Sequence, residues 1–175
     1  MESLAGAIGS WHDFYILVGT AAATLVGLMF VAASVGSGFY TKDKHPALRL
    51  FLSPTVVHFT CVLVACLVAM APIRIWMLFG LLVGGEGLFG IVYASLVWRR
   101  MVTHGYTATI DLEDRLWYAA LPAIGHAVLV AAGIAFVVQR DAGCGLLAIA
   151  MGLLLLIGIR NAWDMTLFTV TRRSG

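Results

Sequence analysis

Charge is what this sequence has least of: only 11% of its 175 residues are Asp, Glu, Lys or Arg, against about 25% in a soluble domain. That shortage excludes an ordinary water-soluble fold. The 9 acidic and 11 basic residues nearly cancel, and no block of like charges is long enough to serve as a nucleic-acid-binding arm, so nucleic acid is not an expected partner. Cysteine is equally sparse. Cys61, Cys66 and Cys144 lie in apolar stretches without a CxxC pair or finger-like spacing, which argues against a disulfide framework and for small core residues. There is no internal repeat of the kind that builds paired-half transporters. No nucleotide site or serine triad is present, and no polar domain to hold a soluble substrate, so no catalytic residue is assigned and enzymatic activity stays open.

What is abundant is apolar sequence: 61% of the residues are hydrophobic and the mean hydropathy is +0.96. The apolar runs are continuous rather than alternating, and a bilayer admits only helices or closed barrels. The expectation is therefore an all-α integral membrane protein rather than a barrel. Spans are expected at about 14–38, 50–71, 74–98, 116–138 and 143–168, each long enough at 1.5 Å per residue to cross a hydrocarbon core of about 30 Å. All 175 residues then form a single polytopic domain, a compact bundle of about five helices in the cell membrane with lipid as its first partner.

The first dozen residues, MESLAGAIGSWH, lack a basic region ahead of a short apolar core and do not read as a cleaved signal. Lys42, Lys44 and Arg49 fall in the first connection, Arg99, Arg100 and Arg115 around the third, and Arg172 and Arg173 at the tail. Only Arg74 and Arg140 flank the other side. The positive-inside rule thus predicts an outside N-terminus and an inside C-terminus. Trp11, Trp76, Trp98, Trp117 and Trp163 all fall near expected helix ends, where amphipathic rings favour the headgroup level.

The connection between the second and third spans, around Pro72, is so short that those helices are expected to be antiparallel neighbours, and QRDAG reads as a tight turn. Thr109 or Asp111 is a candidate cap before LEDRLW. Asp111, Glu113 and Asp114 lack the spacing of a calcium loop, and a solvated loop is expected there. Small residues recur at close-packing intervals: Gly19, Ala23 and Gly27 in the first span, Gly80 and Gly84 in the third, and Ala119, Ala123, Ala127 and Ala131 in the fourth. These are expected to be helix-packing faces.

Chemistry points to the middle of the membrane. Glu86, within GLLVGGEGLFG, is the one formally charged side chain near the middle of any span. A carboxylate at that depth is costly unless protonated, paired, hydrated or bound to a cation. His58 and His126 fall at comparable depth and can face Glu86 across a bundle interior, with Cys61 one turn from His58. His58, His126, Glu86 and Cys61 are thus a candidate metal-ligand set, although no HExxH or similar local pair supports it. Haem b held by the two histidines is a second cofactor expectation, but no CxxCH offers covalent attachment.

Toward the inner end, Arg160 and Asp164 are four residues apart on one face, with Asn161 beside them. They suit an interfacial anchor or the inner mouth of an ion route that also includes Glu86, His58 and His126. Ser10, His12 and Asp13 can cap the first helix, while Thr20, Thr24, Ser53, Thr55 and Thr60 can line a wet passage or bond to their own helices. The leading functional expectation is an oligomeric ion or proton channel or transport protein with a small cation or proton as its ligand. The alternatives are a metal- or haem-binding electron-transfer protein and a structural or regulatory subunit of a larger membrane complex.

Overall fold

The computed structural model describes residues 3–37, 45–103 and 112–171, with helices as the only regular secondary structure among them. A short α1 (Leu4–Gly9), capped by the Ser3 side chain, leads into α2 (His12–Ser37) and α3 (His45–Met70). After α4 (Trp76–Thr103), a short α5 (Leu112–Arg115) runs through a π-helical turn at Leu116–Ala120 directly into α6 (Leu121–Val137). The last helix, α7, covers Ala142–Thr171. Among the described residues, four segments are long and apolar enough to cross a membrane: His12–Ser34, Trp76–Arg100, Leu116–Val137 and Ala142–Thr166. Pro54–Met70 is a shorter apolar helical stretch. The chain is a multi-pass membrane protein.

Its outer surface explains why water is not its solvent. Leu17, Phe30, Leu67, Leu81, Phe89 and Leu156 are all more than half exposed, an apolar exterior far beyond the isolated patches that soluble monomers tolerate. Inside, Tyr15, Val62, Phe79, Leu129, Phe136 and Leu154 belong to one continuous core. The Phe79 and Phe136 rings meet edge to face with centroids 4.7 Å apart, which adds to simple area burial.

Glycine decides which helices meet. The most extensive interface joins α4 to α6, where Gly80 and Gly84 lie against Gly133. A Cβ built at Gly133 would stand 2.5 Å from Gly84 Cα and N, so the two backbones touch there. Gly87 is similarly pressed onto Val130, where a Cβ would lie 2.7 Å from the backbone nitrogen. Close backbone approach through small residues maximises dispersion contacts in lipid, where no hydrophobic force separates helix from solvent. Elsewhere, α3 packs on α2 and α7 and less extensively on its sequence neighbour α4.

The small-residue expectation needs correction in two places. Gly19 meets the Cys66 side chain, with a built Cβ 3.0 Å from Cys66 Cβ, but Gly27 has nothing within 4 Å of that position and Ala23 is exposed. The stripe on α2 therefore leaves the bundle halfway along. On α6, Ala127 and Ala131 are exposed and the inward face is instead Gly125, His126, Leu129, Ala132, Gly133 and Phe136. The alanine series starts buried at Ala119 in the π turn and leaves the buried face by Ala127.

The turn between α6 and α7 is as tight as its sequence implies. Gln139 has φ of 56°, its N–H donates to Phe136 O, and Arg140 N–H donates to Ala135 O, the paired bonds of a Schellman ending. Glycine normally fills this left-handed position because a Cβ there costs about 1–2 kcal/mol. Gln139→Gly is accordingly expected to stabilise the protein by about 1 kcal/mol, read as a raised melting temperature of the purified protein. A lowered one would mean that the glutamine side chain stabilises the turn.

Candidate functional site

His58 enters the bundle from α3 and His126 from α6, and the structure brings their rings together. The centroids are 5.7 Å apart and the planes tilted by 43°. His58 is 1% exposed and His126 is fully buried. Among the described residues none of the four ring nitrogens has a hydrogen-bond partner. A neutral imidazole carries one donor and one acceptor, and a buried polar group without a partner costs about 1–3 kcal/mol. Such orphans concentrated in one place demand an explanation beyond packing.

Gly90 makes the arrangement possible. The His126 ring lies flat against its Cα, so that a Cβ at position 90 would overlap ring atoms Nδ1, Cγ and Cε1. Sequence reading missed this residue, although Gly80, Gly84, Gly87 and Gly90 advance along one face of α4 at helical spacing. One turn from Gly90 on the same helix sits Glu86. Its two carboxylate oxygens are shielded from solvent and have no hydrogen-bond partner among the described residues. The carboxylate lies within electrostatic reach of the Cys61 and Cys66 thiols on α3.

The four expected metal ligands thus come to one region of the core without forming one cluster. No group of three or more His, Cys, Asp and Glu positioned to hold a metal ion occurs among the described residues. The histidines pair with each other, while Glu86 faces the cysteine-bearing side of α3. Cys66 Sγ is 3.5 Å from Met151 Sδ of α7, a neighbour that the sequence alone did not single out. Cys61, Cys66 and Cys144 form no disulfide.

The group around Arg160, Asn161 and Asp164 is assembled across helices. Arg160 Nη1 is 3.8 Å from Asp164 Oδ2, the pairing expected from their spacing. Its Nη2 donates to Glu113 of α5, and its guanidinium lies 4.7 Å from the centre of the Trp117 ring. Glu113 is exposed, as expected, but lies in the short helix α5 rather than a loop and ties α5 to α7. Asn161, fully buried, donates through Nδ2 to Trp117 O at 3.1 Å, while its own Oδ1 has no partner among the described residues. The π turn, closed by the Leu121 N–H to Leu116 O bond, is where that carbonyl is presented. Tyr118 completes the cluster, its hydroxyl 3.3 Å from Asn161 O and 3.4 Å from Asp164 Oδ2.

Other candidates have local roles. Thr24 and Thr60 donate to Thr20 O and Val56 O of their own helices, and Ser10 donates to Ala7 O. His12 and Asp13 pair at the exposed start of α2. Lys42, Lys44, Thr109, Asp111, Arg172 and Arg173 lie outside the described residues, as do the side chains of Arg49, Ser53 and Asp114. No protein-family model, curated protein or solved structure matches the chain.

Proposed function

We propose that this membrane protein binds a small cation between its helices and passes it across the bilayer, with His58, His126 and Glu86 as the midplane site. The single observation that carries this reading is the His58–His126 pair, fully desolvated, with all four ring nitrogens lacking a hydrogen-bond partner among the described residues. A cation at the pair takes up imidazole lone pairs, and one passing along the cysteine-bearing side of α3 gives the Glu86 charge a partner. Arg160, Asn161 and Asp164 supply the polar inner end of the route, where Asn161 Oδ1 offers a further acceptor.

The bundle interior is filled by side chains such as Phe59, Leu129 and Leu154. That packing favours stepwise passage over an open water-filled pore. In this reading the helix containing Pro54–Met70 makes a fifth crossing. The basic residues then set the N-terminus outside and the C-terminus inside.

The test is cation flux into liposomes reconstituted with the purified protein, using Gly85→Ala as a control, because a Cβ at position 85 meets nothing within 4 Å. Wild type and control are expected to carry flux, and His126→Ala to lose at least about tenfold, since loss of a residue supporting a metal site typically costs 10–100-fold. Flux equal to that of empty liposomes for every cation tried would overturn the proposal.

A further inference from the structure

The donors around the histidine pair narrow the cation. Cys61 follows His58 by about one helical turn, and the Cys66–Met151 sulfur pair lies farther along α3. His58, His126, Cys61, Cys66 and Met151 are each no more than 6% exposed. Imidazole and sulfur are borderline and soft ligands, whereas sodium, calcium and magnesium ions require shells built mainly of oxygen.

Spacing and charge narrow it further. A metal ion bound at about 2.0–2.1 Å to one nitrogen of each ring holds two ring centroids roughly 6 Å apart or somewhat less, and the observed separation is 5.7 Å. Neutral imidazoles bring no charge, and the one carboxylate of this part of the core, Glu86 on the Cys61 and Cys66 side of α3, supplies at most one negative charge. A monovalent ion is therefore balanced, whereas a dication leaves a positive charge stranded in the hydrocarbon.

We propose that the cation is a soft monovalent metal ion of the cuprous class, held between His58 and His126, with the Cys66–Met151 sulfur pair as a second station. The inference rests on the cation-binding reading above and names its ligand. At the histidine pair each ring donates one nitrogen lone pair to the ion. No covalent bond breaks, no proton leaves and the metal keeps its oxidation state.

Silver(I), of equal charge and without redox chemistry under these conditions, is the probe. The full chain carries five histidines, so His12, His45 and His104 are replaced by Gln and the imidazole nitrogen resonances of the remaining two are followed as silver(I) is titrated. Both resonances are expected to shift together and saturate at one ion per pair. Either His58→Gln or His126→Gln should weaken that binding by roughly 100-fold or more, beyond what loss of a supporting residue usually costs. Met151→Leu should leave the imidazole shifts in place and reduce the total silver bound. Measuring the shifts in the two-histidine protein keeps the test decisive if a Gln variant fails to fold.

Imidazole resonances that do not move, or that respond more tightly to zinc(II) than to silver(I), would overturn the assignment. Flux of potassium or protons with silent imidazoles would overturn it too, leaving a cation-transport protein of different selectivity. Silver bound at the pair without flux of any cation would support the site and remove the transport reading.

Discussion

Gly133→Ala is expected to lower the melting temperature of the purified protein by roughly 5–10 °C, the equivalent of about 2–3 kcal/mol in a chain of this size. In a soluble helix the same exchange would gain about 1 kcal/mol from helix propensity. Here the added carbon would stand 2.5 Å from Gly84 Cα and N and 2.7 Å from Gly80 O. Those atoms are backbone and cannot rotate aside, so α4 and α6 must separate along the contact. Separation spreads beyond the mutated residue, because Gly87 and Gly90 depend on the same approach. Gly85→Ala tests the sign. With nothing within 4 Å of its added carbon, it is expected to leave the melting temperature unchanged or slightly raised, and a matching loss in both variants would attribute the effect to helix chemistry rather than contact.

The second large effect has opposite signs in stability and transport. Glu86→Leu is expected to raise stability by about 1–3 kcal/mol, because it removes a carboxyl group whose shielded oxygens lack hydrogen-bond partners among the described residues, while substituting a side chain of similar size. Cation flux should fall at least about tenfold, since the cation then loses its counter-charge in the low-dielectric core. This trade-off is expected of residues retained for function against the folding balance. A variant that is less stable yet still transports would identify Glu86 as a structural pin between helices and remove it from the cation site.

The helical class and the presence of several long apolar helices were legible because an unbroken apolar run has few other uses. Which side of each helix faces inward was far less legible. In α6 the alanines at 123, 127 and 131 and the buried series containing Gly125, His126, Leu129 and Gly133 are both acceptable to lipid, so hydrophobic periodicity does not distinguish them. Depth suggested the His58–His126 meeting, but the seating of His126 on Gly90 depends on helix register and crossing. Glu113 was obscured for another reason. Its place in a short charged segment gives its exposure but not its partner, Arg160 of α7, 47 positions away. Met151 looked like one more apolar residue of α7 until Cys66 came beside it.

The π turn ahead of α6 has a further consequence. Its Leu121-to-Leu116 bond spans five residues instead of four, so one extra residue is accommodated without breaking the helical rod. Each residue advances an α-helix by about 100°. Shortening this segment by one residue would therefore swing Glu113 away from Arg160 while leaving His126 against Gly90. The turn separates the azimuthal phase of the Arg160 anchor from that of the histidine pair, allowing one continuous rod to meet two differently oriented sets of neighbours.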